Sequence, residues 1–110
     1  MTPEGKVKAQ VKQRLKDVGA WQYWPVSNGM GMHGVPDCIA CVGGRFLGLE
    51  IKAPGRRGRK NRGATALQVV QLKGIQAACG YAAIIDCPEE LEEVLEALFA
   101  MKPYDFEKEK

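Results

Sequence analysis

Apolar residues at helical spacing open the chain. Val7, Val11 and Leu15 follow one another at intervals of four residues, directly after the segment Thr2-Pro3-Glu4. That segment combines a capping hydroxyl, a proline suited to the first helical turn and an acid, which together mark a helix start. Gly19 marks its end. The spacing therefore predicts an N-terminal helix with one buried stripe.

Further along, the pattern alternates between strands and helices. Residues 21–26, 37–42, 45–52 and 81–86 are predicted strands, because they are short runs rich in β-branched, aromatic or continuous apolar residues. A Thr65–Gln68 capping box predicts a helix to Cys79, with Gly80 at its end. Pro88 opens a last helix, whose apolar side we expect to pack on the sheet and also to meet a second subunit. That side carries Leu91, Val94, Leu95, Leu98 and Met101, while Glu89, Glu90, Glu92, Glu93 and Glu96 lie elsewhere.

The order of these elements predicts the fold class. Helix, three strands, helix, strand and helix build a single α/β domain over residues 1–110, with a small mixed β-sheet flanked by helices. A chain of this length is enough for one hydrophobic core. Residues 102–110 are expected to be a flexible tail.

A Gly-Gly pair fixes the register of the two central strands. Gly43-Gly44 separates them, and a two-residue connection of this type is a hairpin signal because glycine adopts positive φ without cost. Val42 then faces Arg45, and counting outward places Asp37 opposite Glu50. Since strand side chains alternate, Lys52 shares the face of Glu50.

Two carboxylates that face each other repel unless a cation lies between them. At about 5 Å their repulsion is roughly 3 kcal/mol at an effective dielectric constant of about 20. A divalent cation reverses this effect, because Mg²⁺ and Mn²⁺ bind clustered hard oxygen ligands. Asp37, Glu50 and Lys52 therefore form a candidate metal and phosphate site. The alternative is a surface hairpin with an incidental acid pair and a lysine at its rim.

These residues resemble a known family. Pro36-Asp37 followed by Glu50-Ile51-Lys52 is similar to the PD-(D/E)xK nuclease signature. The wider pattern resembles the VRR-NUC branch, in its stand-alone phage and bacterial form. It comprises Gly34-Val35-Pro36-Asp37, the run from Phe46 to Gly55, Ala66-Leu67-Gln68 and Ala78-Cys79-Gly80.

The resemblance implies a restriction-endonuclease-like core and a metal-dependent DNA endonuclease. Asp37, Glu50, Lys52 and Gln68 would be the catalytic residues. The metal, Mg²⁺ or Mn²⁺, would be held by Asp37 and Glu50, by the carbonyl of Ile51, and by Glu4 through water. Glu4 continues the inward stripe of the first helix, so we expect it to turn away from solvent, although a first-turn acid also stabilises a helix by itself.

Charge along the chain indicates a polyanionic partner. Residues 1–85 carry 13 Lys and Arg against 4 Asp and Glu, whereas residues 86–110 carry 3 against 9. Residues 55–64 are expected to be a mobile basic loop that closes over a nucleic-acid backbone. The expected DNA contacts are Arg56, Arg57, Arg59, Lys60 and Arg62 in this loop, and Lys8 and Lys12 on the first helix.

The resemblance further implies a homodimer acting on branched DNA, in the manner of a Holliday-junction resolvase. Cutting two symmetry-related strands requires two sites, and one small domain supplies one. A nickase or flap nuclease of the same fold, and a non-catalytic DNA-binding module, remain alternatives. A cytoplasmic protein of a bacterial or phage-infected cell is expected, because no signal peptide or membrane span is evident.

Several other residues are open to more than one interpretation. Trp21, Tyr23 and Trp24 could stack on unpaired bases, but packing in a core or interface is the commoner use of aromatic residues. His33 lies in a predicted loop of residues 27–35 beside the site and has no clear role. Cys38-x-x-Cys41 invites a zinc interpretation, yet within a strand the two thiols point to opposite faces, so buried thiols are expected instead.

Overall fold

A computed structural model describes residues 1–26, 33–56 and 58–100. Its elements are α1 (Pro3–Asp17), β1 (Trp21–Tyr23), β2 (Cys38–Val42), β3 (Arg45–Ile51), a 3₁₀ turn (Lys60–Gly63), α2 (Ala66–Ala77), β4 (Tyr81–Ile85) and α3 (Glu89–Ala100). The predicted order of helices and strands is confirmed. Most of the loop at 27–35, Arg57, Met101 and the tail at 102–110 lie outside the described residues.

The four strands form one mixed sheet in the order β1-β2-β3-β4. The β1–β2 and β2–β3 pairs are antiparallel, and β3–β4 is parallel. Because β3 lies between two partners, it is the most deeply buried strand, with Leu47, Leu49 and Ile51 at most 1% exposed. Glu50 lies near the carboxyl end of this central strand, and Lys52 follows the strand directly.

Helices cover both faces of the sheet. On one face, the core joins Val7, Val11 and Leu15 of α1 and the apolar side of α3 to Leu47 and Leu49 of β3. Gly48 points to the opposite face by strand alternation, and a Cβ placed on it would meet Ile75 Cδ1 of α2 at 2.6 Å. α2 therefore packs on the second face, where Gly48 allows its close approach. None of the helices in the described ranges is long and apolar enough to cross a membrane.

Four details differ from the sequence expectations. β1 ends at Tyr23 rather than at residue 26, since Pro25 has no N–H for the ladder. The left-handed residue after α2 is Cys79 with φ 69°, not Gly80. Gly80 is needed instead for space, because a Cβ there would lie 2.8 Å from Ile75 Cγ2. Glu4 is only half-buried rather than turned away from solvent, since its side chain is 41% exposed.

The fourth difference concerns α3. Leu91, Val94, Leu95 and Leu98 are all buried in the core of this chain, so they offer no second apolar surface for another subunit. Glu90, expected on a polar side, is only 8% exposed. Its burial follows from an ion pair that the sequence spacing does not reveal.

Candidate active site

The hairpin places Asp37 beside the end of β3, as predicted. The observed register pairs Val42 with Arg45 and Cys38 with Leu49, so the next position outward sets Asp37 against Glu50. One Asp37 carboxylate oxygen, Oδ2, accepts a 2.8 Å hydrogen bond from the backbone N–H of Ile51. This contact fixes the carboxylate at the point where the two strands separate. Because the N–H and C=O of one strand residue point the same way, the Ile51 carbonyl also faces this side.

Glu50 is a buried carboxylate with one oxygen in use and one without a partner. The residue is 1% exposed. Oε1 accepts a 3.2 Å hydrogen bond from Gln68 Nε2 and lies 3.8 Å from Lys52 Nζ. Oε2 is buried and has no hydrogen-bond partner among the residues that the structure describes. A buried acceptor left in this state is costly, so it marks a place where a cation would be bound favourably.

Burial changes the acidity of Glu50. Loss of water around the side chain raises the pKa of Glu50 to about 9, and the carboxylate of Asp37 adds to the increase. The positive charges of Lys52 and Lys8 act in the opposite direction. Two acids held this close without a counter-ion therefore favour a proton on Glu50, and a bound divalent cation would replace that proton.

Gln68 connects the catalytic candidates to the start of α2. Its side-chain Oε1 accepts hydrogen bonds from Lys52 Nζ at 3.0 Å and from the Thr65 N–H at 2.8 Å, while its Nε2 donates to Glu50. Its backbone N–H in turn donates to Thr65 Oγ1, which completes the predicted capping box. One amide thus caps the helix and orients both Lys52 and Glu50. The helix cap and the contacts with Lys52 and Glu50 are therefore made by the same side chain.

Lys8 occupies a position that the sequence did not indicate. Its ammonium lies 3.2 Å from Glu4 Oε2 and 3.5 Å from Asp37 Oδ1, while its predicted contact with DNA stays a prediction. Although burial alone lowers it, these two carboxylates raise the pKa of Lys8. Glu4 therefore reaches the site through Lys8 in this arrangement. The missed signal is that Lys8 lies one helical turn after Glu4 and so shares its side of α1.

The donor set fits a divalent metal ion. Asp37 and Glu50 supply carboxylate oxygens, the Ile51 carbonyl faces the same side, and the unpartnered Oε2 of Glu50 gives a free ligand position. Glu4 does not join them in a compact group. Within the described ranges, only Asp86, Cys87 and Glu90 form a set of three side chains with ligand atoms inside 4.8 Å of one another.

That second cluster already contains a cation, the guanidinium of Arg62. Arg62 Nη2 donates to both carboxylate oxygens of Glu90, at 2.8 and 2.7 Å, and lies 3.8 Å from Asp86 Oδ1. Its Nη1 donates to the Ile84 carbonyl at 2.7 Å. Arg62, predicted to contact DNA, therefore ties the basic segment to β4 and α3. Its backbone, with φ 55°, takes the left-handed conformation, which is strained for an arginine.

The other predicted DNA-binding residues lie at the surface. Arg59 and Lys60 are exposed and Arg56 is half-buried. Lys12 Nζ lies over the ring of Trp24, 5.1 Å from its centroid. Arg57 lies outside the described residues. These positions leave Arg59 and Lys60 accessible to a phosphate backbone.

His33 and the cysteines of β2 make no side-chain contact with the candidate site among the contacts of the described residues. His33 has an exposed side chain, and its backbone carbonyl accepts a 3.4 Å hydrogen bond from Gln71. Cys38 is buried and Cys41 exposed, so the two thiols do point to opposite faces. Burial raises the pKa of the Cys38 thiol to about 12, as expected for a packed side chain rather than a metal ligand.

The four-stranded mixed sheet and its flanking helices define a small α/β domain. A solved structure described as a VRR_NUC domain matches it with a TM-score of 0.69, covering 87% of this chain and 97% of the other at 18% identity. The VRR-NUC fold implied by the sequence resemblance is thereby confirmed. No family model and no curated protein matches the sequence.

Proposed function

We propose that this protein is a metal-dependent endonuclease that hydrolyses phosphodiester bonds in branched DNA. The carrying observation is the buried carboxylate of Glu50 beside Asp37: its Oε2 accepts no hydrogen bond from the described residues, and the nearby Asp37 adds to the rise in the Glu50 pKa. A chain that used this hairpin only for stability would gain nothing from placing a buried acid beside a second carboxylate. The VRR_NUC fold supports the same conclusion.

In this proposal each residue has a separate task. Asp37 and Glu50, with the Ile51 carbonyl, hold Mg²⁺ or Mn²⁺, which when bound polarises the phosphoryl oxygen and activates water. Lys52, whose side chain is 15% exposed, presents its positive charge to the scissile phosphate. Gln68 fixes the distance between Lys52 and Glu50.

Substrate choice follows from the surface charges. Arg59 and Lys60, with Arg56, would contact the backbone, which carries no sequence information by itself. We therefore propose cutting selected by DNA structure rather than by sequence. Each chain has one set of Asp37, Glu50 and Lys52, so paired cuts in a four-way junction would require a homodimer.

The test is a substrate panel with matched variants. Four-way junction, flap, nicked and linear duplexes of equal length are incubated with Mg²⁺, with Mn²⁺ and with EDTA. We expect metal-dependent cleavage of branched substrates by the wild type, and its loss in Asp37→Ala, Glu50→Ala and Lys52→Ala. All three variants should still bind DNA in EDTA. Full cleavage by the three variants would overturn the proposal.

The same panel separates the related functions. Single cuts in the flap or nicked substrate alone would define a flap nuclease or nickase that uses the same site. DNA binding without cleavage under any metal condition would instead define a binding module.

A further inference from the structure

Large apolar side chains lie exposed on one face of the sheet. Trp21 is 65% exposed, Tyr23 53% and Phe46 45%. Trp21 pairs with Cys41, which pairs with Phe46, and Tyr23 pairs with Ile39, which pairs with Gly48. Paired residues share a face, so the three rings belong to one surface, called here the aromatic face. Its only other exposed side chain in these two rows is the Cys41 thiol.

The aromatic face is the face that carries Glu50. Phe46, Gly48 and Glu50 alternate along β3 and therefore point the same way. Tyr23 lies one strand and two residues away from Asp37, which corresponds to about 8 Å between their Cα atoms on an ideal sheet. A nucleotide next to a phosphate bound at the carboxylates is thus within reach of Tyr23. Trp21 and Phe46 lie four residues along the strands from the level of Asp37 and Glu50, about 14 Å away, where the following nucleotides of the same strand would lie.

We propose that Trp21, Tyr23 and Phe46 form a stacking platform for unpaired bases next to the scissile phosphate. The proposal rests on the proposed nuclease function and narrows its substrate class to nucleic acid with unpaired nucleotides beside the cut. Aromatic rings bind single strands because every base has a π-face, whereas paired bases in an intact duplex are stacked on one another.

The size of the aromatic face favours nucleotides over a second copy of this chain. A fully exposed aromatic side chain offers about 150–250 Å², so the exposed parts of these three rings amount to roughly 250–400 Å². A stable interface between two proteins needs about 800 Å² from each partner. The area suits a few bases, and the charged residues around the carboxylates complement the phosphates that join them.

Direct binding gives the first test, and it needs no cleavage. Metal-free protein in EDTA is titrated with a fluorescein-labelled ten-nucleotide single strand and with a duplex hairpin of equal length. We expect Trp21→Ala and Tyr23→Ala each to weaken single-strand binding by at least ~5-fold, with little change for the duplex. Trp21→Phe should restore most of the affinity. Binding of the single strand should quench tryptophan fluorescence more in the wild type than in Trp21→Phe, which retains only Trp24.

Phe99→Ala is the matched control. Phe99 is 49% exposed and belongs to α3, which packs on the opposite face of the sheet. This variant should bind both ligands like the wild type. Equal single-strand affinity in the wild type, Trp21→Ala and Tyr23→Ala would overturn the platform. Conversion of a wild-type dimer to a monomer by Trp21→Ala, with single-strand affinity unchanged, would overturn it in favour of a subunit interface.

Cleavage kinetics then distinguish this proposal from the proposed function. On a flap with unpaired nucleotides at the cut, Trp21→Ala should raise KM by at least ~5-fold and leave kcat near the wild-type value. If wild-type protein cuts no substrate with either metal but binds single strands through Trp21, the nuclease function fails and the platform stands. If cleavage occurs and Trp21→Ala changes neither KM nor binding, the platform fails and the nuclease stands.

Discussion

Glu50 illustrates how a single buried acid can couple folding to pH. Its pKa rises from 4.5 to about 9 on folding, because the folded chain buries it beside Asp37. The folded protein therefore holds a proton that the unfolded chain releases. This contribution to stability is complete below pH 4.5 and is lost as the pH rises through about 9.

Metal-free protein should accordingly become less stable between pH 5 and pH 9. The expected slope is up to about 1.4 kcal/mol per pH unit, and Glu50→Gln should flatten it. Urea unfolding in EDTA at several pH values, with the two proteins side by side, measures the difference. Parallel curves for wild type and Glu50→Gln would show that Glu50 does not carry the effect.

Gln68 takes part in the helix cap and also contacts Lys52 and Glu50, whereas the hydroxyl of Thr65 takes part in the cap alone. Variants of the two residues therefore separate capping from the contacts with Lys52 and Glu50. Gln68→Ala removes the amide between Lys52 and Glu50, so we expect kcat to fall at least ~10-fold, equivalent to losing about 1.4 kcal/mol in the transition state. Thr65→Ala removes only the capping hydroxyl, because the Thr65 N–H still donates to Gln68. That variant should lose about 1 kcal/mol of stability but keep most of its kcat. Equal kcat losses in both would mean that capping alone matters.

Some of these residue positions could be read from the sequence and others could not. Because the Gly43-Gly44 turn is tight, the pairing of Asp37 with Glu50 follows from counting residues outward from the turn. The observed strand register agrees with this pairing. The position of Lys8 depends on how α1 crosses the sheet, which spacing within the helix does not determine. Its contact with Asp37 therefore appeared only once the elements were packed.

At the scale of elements, the ion pair of Arg62 and Glu90 links the basic loop of residues 55–64 to α3. The segment continues directly through Ala64 to Thr65 and Gln68, so the ion pair also anchors the chain that enters α2. Two charged residues separated by 28 positions in sequence carry no local signal of their pairing. This is why the sequence does not predict the ion pair or the burial of Glu90.

Replacing Arg62 tests the ion pair against a DNA contact. Arg62→Ala should cost about 2 kcal/mol of stability, since it removes charged hydrogen bonds from the largely buried Glu90, and Arg62→Ala with Glu90→Gln should recover part of it. Urea unfolding measures these changes. The slope of log K against log salt for duplex binding should stay unchanged in Arg62→Ala. It should fall by about 0.9 in Arg59→Ala, and an equal fall in both would assign Arg62 to phosphate.

The positions of the helices and strands could largely be predicted from the sequence, but the surfaces that they pack against could not. Capping at Thr2 and Thr65 located both helix starts correctly. The apolar side of α3 was also identified, but periodicity cannot state whether such a side meets its own sheet or another molecule. In the structure the sheet and α1 use all of it up to Leu98.

For the whole molecule, the proposed paired cutting requires two sites, and each chain supplies one. Burial of the α3 side as far as Leu98 removes that part of it as a dimer surface, and the proposed homodimer would need other parts of the chain. The basic body and the acidic last quarter provide charges of opposite sign for such contacts. The dimer can be tested functionally without knowing its interface.

Mixing active and inactive chains makes that test. Wild-type protein is refolded together with a tenfold excess of Glu50→Ala, so that most dimers containing a wild-type chain have one working site. On a supercoiled plasmid that extrudes a cruciform, we expect the mixture to yield nicked circles, whereas wild-type dimers yield linear plasmid through paired cuts. Linear product in the same ratio to nicked circles as with wild type alone would mean that one chain makes both cuts, because a monomer is indifferent to its inactive neighbours.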